Sequence, residues 1–357
     1  MKSGRMLHRV VIGALIAGSL ICLGCVAPGI SKSPDRIAVS DGWLAMGTFL
    51  EVEIRVVPGE ADRARNWIEW ARQEIGRLER VYSRHDPAST VSRLNLLLAG
   101  DDVLTSKIRV VPELEAILFL AIEIWEGSGG AFDITIGPLV DVWTQAVAEG
   151  SWPSVEQLRR AKARLGSEAF LLLGDGQLEV LTREMRIDLD GLSKGQVLDR
   201  LRERFGEDLP NAAALLNFGE SSILAIGDPD GAGWRLAIRS RNPSDGSLST
   251  GSRNVLRLRD QALSVSSSLS ASSEIAGERI SHVIDPRTGS AVAESVEALV
   301  IADRAGMADG WSTALLVLGA NRTAIRLIEK AGLEADILES SGRGVSTEGW
   351  EDFLVQP

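Results

Sequence analysis

Beyond Cys22 and Cys25 the 357-residue chain contains no cysteine. That absence excludes a disulfide framework, a thiolate metal site and a cysteine nucleophile from everything after residue 25. Positive charge is also in deficit, with 38 Lys and Arg against 49 Asp and Glu and a formal net charge of −11. Such a surface repels a phosphate backbone, so no nucleic-acid partner is expected. A phosphorylated small molecule still fits, given local help from a cation, a lysine or backbone amides. Tyrosine is nearly missing, one against nine Trp, and most of those Trp are expected in the core or over a pocket. No internal repeat, heptad run or low-complexity block appears. With 45% hydrophobic and 24% charged residues, the chain has an ordinary globular composition and is long enough for a well-buried core.

The one long apolar run lies at the start. Lys2, Arg5 and Arg9 precede the segment from Val10 to Leu23, and Gly24-Cys25 closes it. The run is too short to favour a stable span and reads as a secretory signal. Leu23-Gly24-Cys25 looks like a lipoprotein processing site at which Cys25 becomes the acylated first residue. The alternative is an uncleaved anchor. Both place the body of the protein outside the cytoplasm, anchored at the periplasmic face or the cell surface. The expected organisation is a signal over 1–25, a polar tether over 26–39 with Pro28, Gly29, Ser31, Ser33 and Pro34, and one domain over 40–357.

Within that domain Thr48 to Val57 alternates as a strand, and Ala61 to Val81 carries Trp67, Ile68, Ala71, Ile75, Leu78 and Val81 at helical spacing. Pro112 to Trp125, Val155 to Leu165 and Lys194 to Phe205 are predicted helices, and Gly174-Asp175-Gly176 is predicted to turn a hairpin. Short apolar segments from Ala212 to Leu263 predict an antiparallel sheet. Val296 to Ala302 follows as a strand, then helices over Ala308 to Leu318 and Arg322 to Ala331. Strands and helices mix without a regular βαβ period, which predicts an α+β fold.

Three segments hold glycine and polar residues where a plain core element needs none. In Gly129-Gly130-Ala131-Phe132-Asp133, extending to Pro138, the glycines permit close backbone approach to a ligand; the plainer reading is a loop with a turn Asp. In Asp188-Leu189-Asp190-Gly191-Leu192-Ser193-Lys194-Gly195, a strand is expected to end at Asp188 and a helix to begin near Lys194. Backbone groups at such a turn can face a phosphate or a cation, with Lys194 adding charge. The spacing is not that of a nucleotide P-loop. In the third, His282 to Gly289 precedes Asp309-Gly310-Trp311-Ser312-Thr313. Asp309 and Thr313 share a helix face there and offer hard oxygen ligands suited to Mg²⁺. The plainer reading of Asp309 is a helix cap.

Taken in order, these segments resemble the FAD:protein FMN transferases, the ApbE family. The resemblance runs from Met46-Gly47-Thr48 through Tyr82-Ser83-Arg84-His85-Asp86-Pro87 with Ser89, Ser92, Leu94 and Asn95. It continues over Gly130 to Val142 with Trp143, Asp188 to Asp199, and Asn217-Phe218-Gly219, and ends with His282 to Gly289 and Ala308 to Thr313. It implies an ApbE-like α+β domain that moves FMN from FAD onto a Thr or Ser of an acceptor protein, such as a redox-complex subunit or another flavoprotein. It also implies FAD contacts at Met46, His85, Ala131, Phe132, Asp133, Asp188, Lys194 and Ile284. A magnesium site is implied at Gly191, Asp309, Ser312 and Thr313, and a catalytic set of His282, Asp309 and Lys194, with His282 as acid/base.

The chain departs from the family pattern at Asp190, Gln196, Glu220 and Ser266-Ser267-Ser268, where Ser268 is expected to lose the freedom of a glycine. An FAD pyrophosphatase, a flavin-binding lipoprotein without turnover and a structural lipoprotein are the competing readings.

Overall fold

The runs over residues 223–226 and 298–302 are apolar at successive positions rather than at alternate ones, the pattern of strands covered on both faces. The computed structural model describes residues 36–100, 107–167, 170–238, 254–268, 272–292, 296–339 and 341–355. The expected signal, with Cys22 and Cys25, and most of the expected tether lie outside them. Among the described residues no helix is long and apolar enough to cross a membrane.

In chain order, β1 (Ile37–Ala45) and β2 (Thr48–Val56) form a hairpin, and helices α1 (Ala61–Tyr82) and α2 (Thr90–Leu98) follow. The short β3 (Ile108–Arg109) leads to α3 (Pro112–Ser128), α4 (Gly137–Glu149) and α5 (Val155–Lys162). A hairpin of β4 (Phe170–Gly174) and β5 (Gln177–Val180) joins β3 in a three-stranded sheet, before α6 (Ser193–Asp208). Next come β6 (Ala213–Phe218), β7 (Ser222–Ile226), β8 (Trp234–Ile238), β9 (Asn254–Leu258) and β10 (Gln261–Ser267). The chain continues through β11 (Ser272–Ile275), β12 (Glu278–Ser281), β13 (Val296–Ala302), α7 (Ala305–Leu318) and α8 (Arg322–Lys330). It ends with β14 (Glu334–Glu339) and β15 (Gly344–Ser346). The main sheet has the order β1-β2-β6-β7-β10-β13-β14-β15 and is antiparallel throughout. This is the α+β class that the irregular element order predicts.

Side-chain parity divides the sheet into two faces. Ala214, Leu216, Phe218, Leu224, Ala262, Val296, Ala298 and Val300 face the large core shared with the helices. Their neighbours Ala213, Ile223, Ala225, Leu263, Leu299 and Ile301 face a smaller cluster with Trp234, Leu256, Leu258 and Trp350. Trp67, Trp311 and Trp43 are buried in the large core, whereas Trp152 is 48% exposed. The segment before α6 corrects one expectation. It makes a single parallel bridge, Ile136 with Arg186, and no regular strand.

At the centre of the large core lies α7, buried at every position from Ala305 to Ser312. It packs on α6 through exchanged caps. Neither helix has a capping side chain of its own at the N-cap residue. Instead Asp199 of α6 accepts from the amides of Ala305 (2.7 Å) and Gly306 (2.9 Å), while Asp309 of α7 accepts from the amide of Gly195 (2.9 Å). Each carboxylate satisfies N–H groups that a helix start leaves unpaired and sits at the positive end of the dipole. Gly195 makes the approach possible. A methyl there would run into the Ala305 carbonyl and lie 2.8 Å from the Asp309 Cβ. Gly195→Ala should therefore destabilise the protein by about 1–3 kcal/mol from overpacking, despite a gain of about 1 kcal/mol in helix propensity. The melting temperature measured beside wild type checks it.

Candidate functional site

The glycine-bearing segments come together. The amide of Asp188 donates to the Ile134 carbonyl (2.7 Å) and that of Gly137 to the Arg186 carbonyl (3.2 Å), which lays 133–137 alongside 186–188. Asn95 of α2 clamps the second segment, donating to the Ile187 carbonyl (2.9 Å) and accepting from the Ile187 amide (2.7 Å). Ala131 and Phe132 are buried, and the Phe132 amide donates to Ser128 Oγ. The Asp133 carboxylate is buried too. Its Oδ1 accepts from the amide (2.8 Å) and hydroxyl (2.6 Å) of Thr135 and from Ser167 Oγ (2.8 Å), so it shapes its own loop.

The turn at Gly191 joins this loop to α7. A β-carbon built on Gly191 would lie 3.3 Å from Thr313 Oγ1 and 3.4 Å from the Phe132 ring, so the backbone sits against both. Asp309 is 4% exposed, and all three of its oxygens accept hydrogen bonds. Oδ2 takes the Gly195 amide, and Oδ1 takes Ser222 Oγ (3.0 Å) and Ser264 Oγ (3.3 Å). Its main-chain carbonyl accepts from Ser312 Oγ (2.9 Å). Thr313 Oγ1 lies 3.3 Å from that same carbonyl. Ser312 Oγ also lies within hydrogen-bond distance of Ser264 Oγ (3.0 Å) and Ser266 Oγ (2.8 Å), so Ser312 is tied into a serine network behind Asp309. The capping role of Asp309 is real, but it caps α6 rather than its own helix.

Charge gathers at the mouth of the turn. Arg84 Nε lies 3.0 Å from Asp188 Oδ2 and 2.8 Å from Asp190 Oδ2, and His85 Nε2 lies 3.4 Å from Asp190. Burial first, and the Asp190 charge second, push the Asp188 carboxyl up to about 6, against the pull of Arg84. Lys194 stands at the second position of α6, and among the described residues no carboxylate pairs with it.

The remaining expected residues are placed around this centre. Ile284 packs with Leu139 of α4 and Ala161 of α5, and Trp143 Nε1 donates to the Gly289 carbonyl (3.0 Å), which docks the 282–291 loop on those helices. His282 lies exposed just past β12 on the same loop. Met46 holds the turn between β1 and β2 with φ +47°. That turn is beside Gly219, whose amide donates to the Phe49 carbonyl (2.9 Å), so it belongs to the same end of the sheet as the β6–β7 turn. Sequence reasoning missed Ser222, Ser264 and Arg84. A serine opening the otherwise apolar β7 was the available signal for Ser222; Ser264, in a strand that also carries Ser266 and Ser267, gave none.

Among the described residues no group of three or more His, Cys, Asp or Glu gathers as a metal centre. A divalent cation here would rest on one carboxylate with hydroxyl and carbonyl oxygens. Asp309, Thr313 and the Gly191 backbone offer such oxygens, and they fit Mg²⁺ in kind, all of them hard donors. The Asp309 Oδ2 accepts one donor and keeps one acceptor position.

Residues 46–337 match the family model described as the ApbE family. The chain belongs to the ApbE family. Among curated relatives it is 28% identical over 346 residues to an FAD:protein FMN transferase of Klebsiella pneumoniae, covering 94% of this chain and 93% of that one. It is 27% identical over 354 residues to the FAD:protein FMN transferase of Escherichia coli K12, covering 96% and 97%. The fold matches the crystal structure of the ApbE protein of Thermotoga maritima with TM-score 0.76 at 22% identity, over 90% of this chain and 100% of that one. It matches the apo flavinyl transferase ApbE of Pseudomonas stutzeri with TM-score 0.75 at 23% identity, over 90% and 98%.

The structure gives physical content to this ApbE-family chain's departures. The Asp190 charge is countered by Arg84. Glu220 occupies a left-handed position, φ +61°, where glycine is unstrained and any other residue is not. Ser268 behaves otherwise than expected. It is fully buried, and its amide donates to the Val296 carbonyl (3.0 Å) while its Oγ accepts from the Val296 amide (2.9 Å). The backbone cost thus falls at Glu220. Gln196 Oε1 is buried with no hydrogen-bond partner.

The raised Asp188 carboxyl has a consequence for stability. The folded protein holds a proton there that the unfolded chain, with the ordinary value 3.8, releases. Its contribution is therefore greatest below the unfolded value and is lost as pH rises through the folded one, between about pH 4 and about pH 6. Melting temperatures of wild type and Asp188→Asn across that window should diverge, with wild type losing stability relative to the variant as pH rises.

Proposed function

We propose that this chain transfers FMN from FAD onto the hydroxyl of a Thr or Ser in an acceptor protein, releasing AMP. One observation carries the reading. The buried Asp309 carboxylate caps α6 at Gly195, the Gly191 backbone lies against the Thr313 hydroxyl, and Lys194, in the same first turn of α6, has no carboxylate partner among the described residues. A net-negative protein needs such a spot to hold a pyrophosphate.

In this reaction the acceptor oxygen bonds to the phosphorus of the FMN half as the bond to the AMP phosphate oxygen breaks. The hydroxyl proton passes to His282, and AMP leaves as the monoester. Lys194, in the first turn of α6, counters the charge on the phosphoryl oxygens. Phe132 and Gly191 shape the wall against which the pyrophosphate lies, and Ile284 and Met46 border the flavin. Asp309, Thr313 and the Gly191 carbonyl would hold Mg²⁺, with Ser312 behind them. When bound it adds electrostatic stabilisation of the same phosphoryl oxygens. The basic, apolar and Gly-Cys sequence at the N-terminus supports an extracytoplasmic lipoprotein acylated at Cys25, so the acceptor would be an exported segment of a redox-complex subunit or flavoprotein.

Mass spectrometry of an acceptor domain incubated with FAD, Mg²⁺ and the full chain tests this. An FMN adduct on the target Thr is expected, and EDTA or Asp309→Ala should each cut its rate by about 100-fold or more. Free FMN and AMP without an adduct would make water the acceptor and the protein a pyrophosphatase. Intact bound FAD and no product would leave a flavin-binding protein.

A further inference from the structure

Asp309 holds three donors on its carboxylate, and they are not equivalent. A carboxylate has about four acceptor positions, two on each oxygen. Ser222 and Ser264 both address Oδ1, at 3.0 and 3.3 Å, and the Gly195 amide addresses Oδ2 at 2.9 Å. Oδ1 thus has two hydroxyls in reach, and Oδ2 has one donor and one open position.

The hydroxyl protons separate the two serines. Ser264 Oγ has three acceptors in reach: the Ser221 carbonyl at 3.0 Å, Ser312 Oγ at 3.0 Å and Asp309 Oδ1 at 3.3 Å. Its single proton can serve one of them. Ser222 Oγ has Asp309 Oδ1 and no other acceptor among the described residues. Ser222 is 2% exposed, at the first position of a strand that otherwise reads Ile-Leu-Ala-Ile, directly across from Ser264 and on the helix-facing side. A buried hydroxyl in an apolar strand is costly unless it donates, and this one donates to one atom only.

We propose that Ser222 is the positioning residue of the site: it ties Asp309 Oδ1 to β7, so that Oδ2 is the oxygen presented to a divalent cation. The inference rests on the magnesium assignment within the transferase reading and goes beyond it by naming which group orients the carboxylate and which oxygen remains available. Turning the carboxylate to exchange its oxygens would break the Ser222 bond and the Gly195 bond together. Outer-shell partners of this kind set metal affinity without touching the metal.

Mn²⁺ titration of the full chain, followed by electron paramagnetic resonance, tests it, with FAD affinity in EDTA measured on the same samples. Ser222→Ala should weaken Mn²⁺ binding by about 10–100-fold while leaving FAD affinity in EDTA as in wild type. Ser264→Ala should weaken it less, because that proton has other acceptors. Ser222→Thr, which keeps the hydroxyl, should retain wild-type affinity. If Ser222→Ala binds Mn²⁺ like wild type while Asp309→Asn does not bind it, the inference is overturned and the transferase reading stands. If Ser222→Ala loses metal and flavin affinity alike, the serine is structural and the inference is again overturned. If wild type and Asp309→Asn are equally indifferent to Mn²⁺, the metal assignment beneath both falls.

Discussion

The contact between α6 and α7 organises this molecule. Two helices that lack N-terminal capping side chains of their own each borrow a carboxylate from the other, Asp199 in one direction and Asp309 in the other. The exchange fixes their register along each other, and Gly195 lets the backbones close to a distance no side chain permits. Because Asp309 is also bonded to Ser222 on β7 and approached by Ser264 on β10, the helix pair is pinned to the sheet through one carboxylate. Fold and site thus share an atom group. The residue proposed to hold a cation is also the one that ties α7 to α6 and to the sheet.

The same economy of positive charge explains the rim. The protein is strongly acidic, yet its proposed ligand is anionic. Arg84 is divided between Asp188 and Asp190, and the carboxyl of Asp188 rises because burial and the neighbouring charge outweigh that guanidinium. Among the described residues Lys194 has no carboxylate partner. The acidic Asp190 in the turn before α6 is therefore accommodated by an arginine just past the end of α1, more than a hundred positions earlier in the chain.

Several elements were legible because a local physical cause sufficed. Helix α1 carries its apolar residues at helical spacing, β13 falls where seven apolar-rich residues predict it, and Gly174-Asp175-Gly176 turns a hairpin. Others were not. Strand β1 reads Ile-Ala-Val-Ser-Asp-Gly-Trp-Leu-Ala, with Asp and Gly at its middle, and is held in place by nine paired positions on β2 rather than by its own pattern. Helix α4 begins with Gly-Pro inside a segment that looks like a binding loop, and the expected strand at Asp188 is only extended chain clamped by Asn95.

The sequence by itself determined the family, the α+β class and the set of motif residues, since these follow from composition, periodicity and ordered short motifs. Tertiary structure alone decided what those residues touch. It turned Asp309 from a presumed cap of its own helix into a cap of another, drew Ser312 into a serine network, placed the glycine-type backbone at Glu220 instead of Ser268, and gave Ser222 a single acceptor. The reason is range. Spacing along the chain reports on neighbours within a turn or a strand, whereas the partners of Asp309 on α6, β7 and β10 lie 114, 87 and 45 positions away. Only folding brings such groups within hydrogen-bond distance.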